Sequence, residues 1–297
     1  MLACSSPDAG TGAPPGPAAA TGPAPTLYGF WGLNGLRTEA GLRTVRERFG
    51  IGVYHTATRF PEEGTQVLLP AARAAGLKVS MRLTGGHAQY TDEHGNFSLA
   101  AWSERLEAWR GSGLQDFVDD GTLVAHMLLD DIHNFGGQDP TADELDEMAR
   151  QSKALLPGLM VFVRERALEM PEGTYQHVDA IVNQYRHDHG TPEEYVRTQV
   201  ARARELGLGV INGLNIANGG DGSSGQPGWG EGRWAMSADE ITSYGRVLGA
   251  VPDQPMFLCW EYDAEERWTD GSVGATWFDQ PEQTAALKDL GAWLAAR

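Results

Sequence analysis

Two adjacent acids end an apolar run in the stretch HMLLDDIHNFGG, residues 126–137. Asp130 and Asp131 follow Met-Leu-Leu directly, so their carboxylates lie at the edge of a hydrophobic core. Two neighbouring carboxylates repel each other, which raises the pKa of one of them and keeps a general acid protonated near neutral pH. The pair therefore indicates acid–base chemistry. The alternative is that one acid only caps the next segment or pairs with an arginine such as Arg82 or Arg164.

A third acid in a comparable place is Glu261, which follows Trp260 in the apolar run FLCWEYD. Cleavage of a glycosidic bond needs one carboxyl group that protonates the leaving oxygen, and in most families a second one that acts as nucleophile or base. We expect Asp130 or Asp131 to form such a pair with Glu261, and these three are the predicted catalytic residues. Glu165 is flanked by Arg164 and Arg166, so we expect it to belong to an ion-pair network.

The elements that must position these acids alternate regularly along the chain. Eight short β-rich runs are each followed by a helical stretch with apolar residues on one face, although the helical signal near MPEGTYQHV is short and weak. Thr141, Thr191 and Ser237 precede three of the helices as N-cap signals. The runs read as strands are TLYGFWG, IGVYHTAT, KVSMRLTGG, VAHMLLDD, LMVFVRER, AIVNQY, GVINGLNI and PMFLCWEYD.

Eight strand–helix units in residues 26–297 predict an α/β fold, a single (β/α)8 TIM barrel, for which about 250 residues are typical. A doubly wound open sheet is the alternative, but no G-x-G-x-x-G follows the first strand and no phosphate-binding loop is present. Residues 1–25 are rich in Ala, Gly, Pro and Ser and predict a disordered leader or linker.

The C-terminal ends of the strands form the mouth of such a barrel, where the chemistry is done. Aromatic rings there suit the apolar faces of sugars, and amides and carboxylates suit their hydroxyl groups. Along strand four Leu129, Asp131 and His133 share one face and Asp130 lies on the other, so one acid should point into the mouth. The Gly-rich loop after strand seven carries Trp229 and Trp234 and predicts a lid or a sugar platform. The predicted substrate-binding residues are Trp31, Arg82, His133, Arg164, Gln184, Tyr185, Asn215, Trp260 and Tyr262.

Three of these segments, MLLDD, VNQY and FLCWEYD, resemble the corresponding strand ends of bacterial TIM-barrel glycoside hydrolases. The resemblance implies a glycoside hydrolase with a carbohydrate substrate, an acid at the end of strand four and a Trp at the end of strand eight. It implies no complete mechanism, because the Asp-x-x-Asp-x-Asp-x-Glu run of chitinases is absent. The Asn-Glu pair on strand four and the Glu on strand seven of cellulase-like enzymes are absent too, and strand seven reads INGLNIANGG.

Two other functions fit the same residues. A non-catalytic carbohydrate-binding barrel would keep the aromatic residues without a working carboxylate pair. A metal-dependent hydrolase could use Asp130 with His126, His133 and the His-Asp-His run at 187–189, but the His-x-His expected on strand one is missing. We therefore expect no cofactor.

Charge and the leader bear on partners and location. The net charge of −17 disfavours a nucleic-acid surface and docking on anionic lipid. Leu-Ala-Cys followed by Ser-Ser resembles the end of a bacterial lipoprotein signal, although the preceding apolar region is missing. This predicts a secreted or cell-surface lipoprotein of a bacterium, with Cys4 as the lipid anchor and a monomeric barrel.

Overall fold

Eight parallel strands close into one barrel in sequence order, as the sequence predicts. The computed structural model describes residues 25–33, 36–228, 231–261 and 280–297, so almost all of the leader, with Cys4, as well as Trp229 and Tyr262 lie outside the described residues. The strands are β1 Leu27–Phe30, β2 Val53–Ala57, β3 Lys78–Arg82, β4 Leu123–Asp130, β5 Met160–Arg164, β6 Ala180–Tyr185, β7 Gly209–Leu214 and β8 Met256–Cys259.

Helices surround the barrel, and several of them begin at a residue whose side chain caps the helix. Thr141 and Ser237 form capping boxes with Glu144 and Glu240, and Thr191 accepts a hydrogen bond from the N–H of Glu194. Residues 61–75 form one continuous helical stretch, α2, a π-helical turn Gly64–Leu68, and α3. The described helices are α1 Glu39–Phe49, α2 Pro61–Glu63, α3 Leu69–Ala75, α4 Leu99–Glu107, α5 Gln115–Asp119, α6 Ala142–Leu155, α7 Pro192–Glu205, α8 Ala238–Gly249 and α9 Pro281–Ala295.

The prediction of a helical stretch near MPEGTYQHV is wrong. Only a 3-10 turn, Ala167–Glu169, follows β5, and residues 170–178 form an irregular connection to β6. Asp146 of α6 supplies the reason, because its Oδ1 accepts the backbone N–H groups of residues 176, 177 and 178 at 2.8, 2.6 and 3.2 Å. These N–H groups are satisfied from outside the segment, so the segment needs no helix.

The core has two layers, one inside the barrel and one between barrel and helices. The inner layer follows the alternation of the strands, with one side chain in two pointing inward. Its buried members are Trp31, Val53, Ala125, Met127, Phe162, Ala180, Val182, Ile211, Met256 and Leu258.

One irregularity in β4 determines the side of the strand on which Asp130 lies. Met127 pairs with Phe162, yet Asp130 pairs with Arg164, so β4 uses three residues where β5 uses two. Leu128 and Leu129 consequently both pack in the outer layer. This β-bulge brings Asp130 beside Arg164 on the inner face. The strict alternation predicted for Leu129, Asp131 and His133 is therefore wrong.

None of the described helices is long and apolar enough to cross a membrane.

Candidate active site

The inner face of the barrel ends in a set of polar and aromatic side chains. The inward members of the predicted site are the residues next along each strand after the inner core layer. Trp31, directly after β1, belongs to that layer, and Trp260, directly after the neighbouring strand β8, packs against it. Hydrogen bonds and ion pairs connect the members on β3 to β6. The seven residues of this set are Trp31, Arg82, Asp130, Arg164, Gln184, Asn215 and Trp260.

Arg164 is the centre of this set. Its Nε binds Asp130 Oδ1 and its Nη2 binds Asp131 Oδ2, and its Nη1 donates to Gln184 Oε1 at 3.3 Å. Arg82 Nη1 donates to the other oxygen of Asp130 at 3.2 Å. One guanidinium therefore holds both adjacent acids and ties β4 to β6, which a planar fork of donors allows.

The pKa values of the two adjacent acids differ. Burial alone would raise the pKa of Asp130, but the charges of Arg164 and Arg82 outweigh it and hold this pKa below its usual value. The pKa of Asp131 is raised, because burial and the charge of Asp130 together outweigh its single pair with Arg164. Asp130 is therefore the more readily ionised of the two acids, and Asp131 is the more easily protonated one.

The backbone of Asp131 is held in an uncommon conformation. Its φ of 52° lies in the left-handed region, where non-glycine residues are rare. Its N–H donates to the Arg164 carbonyl at 3.1 Å, and its carbonyl accepts from Asn134 N and His87 Nε2, each at 3.1 Å. Such conformations persist where several contacts fix them, and they cluster at active sites.

Asp131 opens onto a pocket of about 170 Å³ at the C-terminal ends of β4 to β7. The pocket is small beside the 300 Å³ or more of typical ligand pockets, so the described walls enclose about one small ligand unit. Its described lining residues are Asp131, Arg164, Glu165, Arg166, Glu169, Val182, Gln184, Arg186, His189 and Asn215.

Glu165 is the second acid of this pocket. Its side chain is buried, and burial together with a hydrogen bond to the Glu169 carboxylate raises its pKa to about 7. Its Oε1 also accepts the N–H of Arg166 at 2.8 Å. The expected ion-pair network exists, but Glu169 is its acidic member: Arg166 binds Glu169 through Nε at 2.8 Å and through Nη2.

Sequence reasoning underrated Glu165 because its neighbours in the chain are arginines. In a strand, successive side chains point to opposite faces, so adjacency in sequence does not pair Glu165 with Arg164. The sequence feature that could have identified Glu165 is Glu169, four residues later, because Glu169 can bind Arg166 in place of Glu165.

Tyr185 and His133 are among the predicted residues that do not belong to the described pocket lining. The ring of Tyr185 packs against Tyr195 and Tyr244 with centroids 5.2 Å away, and its hydroxyl donates to the Gly190 carbonyl at 2.7 Å. His133 binds Asp139 Oδ2 through Nδ1 at 2.8 Å and the Glu169 carbonyl through Nε2 at 2.9 Å. Because both partners are acceptors, the imidazolium form is favoured, and the Asp139 hydrogen bond raises the pKa of His133. It thereby ties the loop after β4 to the loop after β5.

Glu261 lies at the end of β8, directly after Trp260, and is partly exposed. The peptide bond between Trp260 and Glu261 is cis. Glu261 is not among the described lining residues of the pocket, so its predicted catalytic role remains a prediction.

The histidines of the metal-dependent alternative do not converge. His126 Nδ1 lies 3.1 Å from Ser152 Oγ on α6, and its ring stacks on Trp102 at 6.1 Å, on the outer side of β4. His133 lies in the loop beyond that strand. Across the part of the chain that the structure describes, no group of three His, Cys, Asp or Glu side chains is placed to hold a metal ion.

Comparisons with known proteins support the fold. No protein-family model matches the sequence, and the comparison with curated proteins finds no match. A GH113 β-mannanase from Alicyclobacillus acidocaldarius has a TM-score of 0.57 and 14% identity, over 91% of this chain and 97% of that one. A β-glucanase from Saccharophagus degradans, in complex with cellotetraose, has a TM-score of 0.56 and 9% identity, over 91% and 88%.

A third similar structure is an endocellulase from the archaeon Pyrococcus horikoshii, with a TM-score of 0.54 and 10% identity, over 90% of this chain and 92% of that one. These structural neighbours are glycoside hydrolases with TIM barrels. At such low identity the likeness concerns the fold, and the chain therefore shares the barrel architecture of glycoside hydrolases.

Proposed function

We propose that the protein is a glycoside hydrolase in which Glu165 is the general acid and Asp131 is the partner carboxylate. The observation that carries this proposal is their common pocket at the mouth of the barrel, together with the pKa of about 7 for Glu165. A carboxyl group with this pKa holds a proton at neutral pH and can pass it to a leaving oxygen.

Glu169 maintains the protonated state of Glu165. Its charge is kept by the bidentate pair with Arg166, which lowers the pKa of Glu169 although burial opposes this. A protonated Glu165 donates to an ionised Glu169, whereas two ionised carboxylates at this distance would repel each other. The two carboxyl groups thus share one proton at the pocket wall, Glu165 being buried and Glu169 partly exposed.

Asp131 supplies the negative charge. Its described bonds to Arg164 and Asn134 both use Oδ2, so Oδ1 is the oxygen that faces a ligand. This oxygen can attack the anomeric carbon or activate a water molecule for that attack. Asp130, whose two oxygens bind Arg164 and Arg82, holds Arg164 in place for Asp131.

Glu261 enters the proposal as a third carboxyl group on the opposite side of the mouth, at the end of β8. The carbohydrate nature of the substrate is supported by the neighbours with the same barrel, of which one is described with cellotetraose. Trp260 is the proposed stacking residue for a sugar ring beside the pocket, whereas Trp31 is buried in the inner core layer beneath it.

A glycan-panel screen tests the proposal. Wild-type protein and the single variants Asp131→Asn, Glu165→Gln and Glu261→Gln are incubated with neutral and acidic polysaccharides, and the release of reducing ends is measured. We expect release by the wild type and its loss in Asp131→Asn and Glu165→Gln. Unchanged turnover in both variants would remove the proposed pair, and binding without any release would favour a non-catalytic carbohydrate-binding barrel.

We also propose that the chain is exported as a lipoprotein with Cys4 as the lipidated residue and that the barrel is a monomer. The Leu-Ala-Cys-Ser-Ser sequence supports the first part. Palmitate labelling of the full-length precursor and its Cys4→Ala variant in a bacterial host measures lipidation, and light scattering of the purified barrel measures its mass. Equal labelling of both proteins would contradict the anchor.

A further inference from the structure

The pocket beside Asp131 differs in charge from the rest of the molecule. Three of its lining residues, Arg164, Arg166 and Arg186, carry guanidinium groups, in a protein whose net charge is −17. The acids of the lining are Asp131, Glu165 and Glu169, and burial raises the pKa of Glu165 to about 7, so that this carboxyl group is only partly ionised at neutral pH. The pocket lining therefore carries more positive than negative charge.

The charges of the residues that surround the pocket cancel each other. Asp130 is bound by Arg82 as well as Arg164, and Asp188 is bound by Arg233 at 2.7 Å as well as by Arg186. Asp130 and Asp188 stabilise the arginines of the pocket, and because each also has a second arginine partner, they do not change the sign of the net charge of the lining.

Gln184 adds a buried donor whose direction is fixed. Its Oε1 accepts from Arg164 Nη1 at 3.3 Å, and because a guanidinium only donates, the amide cannot be turned around. Gln184 is one of the described lining residues of the pocket, and Nε2 is the amide atom left for a further partner. The residue is 7% exposed, and among the described residues Nε2 has no hydrogen-bond partner. A buried donor of this kind is satisfied by an acceptor from outside the chain, which a ligand oxygen or a bound water molecule provides.

Two arginines at the rim also keep donors for a ligand. Arg186 binds Asp188 through Nε and Nη2, each at 3.0 Å, and Arg166 binds Glu169 through the same two nitrogens. Within the described part of the chain, these bonds leave the Nη1 groups of both arginines for a ligand. Guanidinium groups of this kind are the preferred partners of carboxylates.

The described lining contains no Trp, Tyr or Phe, so it offers no stacking face for a neutral sugar ring. We propose that the sugar unit bound in this pocket carries a carboxylate, as a hexuronate does, and that this carboxylate accepts from Gln184 Nε2 and from the guanidiniums of Arg166 and Arg186. This inference rests on the proposed glycoside hydrolase function and adds the class of its substrate.

The test compares each acidic glycan with its own neutral form. Oligosaccharides of glucuronate, galacturonate and mannuronate are prepared as such and after reduction of the carboxyl groups to alcohols, and kcat/KM is measured for each pair. We expect at least a 100-fold preference for one acidic glycan over its reduced form, since a site built for a charged acceptor rejects an analogue that lacks it.

Variants assign the preference to the named donors. Arg186→Met and Gln184→Glu should each reduce it at least about 10-fold, whereas Arg186→Lys keeps part of it. Arg197→Met is the matched control, because Arg197 is exposed on α7 away from the pocket. Thermal unfolding of all variants verifies that they fold. A preference that is equal in wild type, Arg186→Met and Gln184→Glu would overturn the inference.

The outcomes separate the inference from the proposed function. Hydrolysis of neutral glycans at rates equal to or above those of acidic ones overturns the acidic substrate and leaves the glycoside hydrolase intact. Calorimetric binding of acidic oligosaccharides without hydrolysis supports the acidic ligand and overturns the enzyme. Neither binding nor hydrolysis of any glycan in the panel overturns both.

Discussion

Two aspartates of the molecule, Asp146 on α6 and Asp131 after β4, have different structural roles. Asp146 directs one oxygen at three consecutive backbone N–H groups, those of residues 176–178. Asp131 binds a side-chain guanidinium through one oxygen, and its own backbone is strained at φ 52°. Asp146 therefore stabilises the connection between β5 and β6, whereas Asp131 is itself held in place by its neighbours.

The difference gives a physical criterion for recognising a working carboxylate. An acid that binds only backbone donors and lies away from a pocket stabilises the chain locally and is not placed to meet a ligand. An acid that keeps an oxygen towards a pocket, lies beside a second titratable acid and is fixed by contacts to its backbone meets the requirements of catalysis. Asp131 meets them and shares its pocket with Glu165, whereas Asp146 is not among the described lining residues of that pocket.

The largest expected effect follows replacement of Asp131. Asp131→Asn should lower kcat by about 10⁴-fold, the order found when a group at the reacting atoms is removed, while the melting temperature changes little. Asp131→Gly is the matched control, because glycine adopts a positive φ without strain. It should be equally inactive and at least as stable. Full activity in Asp131→Gly would contradict the assignment.

Replacement of Glu165 should have the next largest effect. Glu165→Gln should lower kcat/KM by about 100-fold, the lower end of general acid catalysis. In the wild type, activity should fall as the pH rises through about 7, because the acid then loses its proton. A wild-type profile that stays flat between pH 6 and pH 8 would contradict this role.

The same residue links pH to stability. Folding raises the pKa of Glu165 from 4.5 to about 7, so its stabilising contribution is complete below the unfolded value and is lost as the pH rises through about 7. Glu165→Gln should therefore show a smaller loss of stability between pH 5 and pH 8 than the wild type, as measured by denaturant unfolding. Parallel pH curves would argue against the raised pKa.

Asp146 should give the reverse result. Asp146→Ala leaves three backbone N–H groups without their acceptor and should lower the free energy of unfolding by about 2 kcal/mol, with kcat/KM unchanged. Asp146→Asn keeps an acceptor oxygen in the same place and should lose less. If Asp146→Ala abolished turnover in a variant that remains folded, the contrast between the two aspartates would fail.

The smallest effect is expected at a helix cap. Thr141 accepts the N–H of Glu144 and begins α6, the helix that carries Asp146. Thr141→Ala should cost about 1 kcal/mol of stability, without a change in activity. Thr44→Ala, at an exposed position within α1, is the control and should be neutral. Equal melting temperatures for both variants would show that the cap does not contribute.

The sequence by itself determined the barrel. The eight alternating units and the caps at Thr141, Thr191 and Ser237 depend on residues close together in the chain, and the structure confirms them. Local pattern fails at MPEGTYQHV, because its backbone donors are satisfied by Asp146, about 30 residues earlier. The alternation of strands and helices in the sequence was nevertheless sufficient to place four site residues at strand ends, namely Arg82, Arg164, Gln184 and Asn215.

Only the tertiary structure decided which of these groups meet. The bulge between Met127 and Asp130 is a property of how β4 pairs with β5, so the alternation of a single strand could not reveal it. The raised pKa of Glu165 likewise depends on folded geometry. Arg166 pairs with Glu169 in the turn after β5, and burial and the hydrogen bond to Glu169 then raise the pKa of Glu165. Charges interact through space, and the distances that set their pKa values exist only in the folded chain.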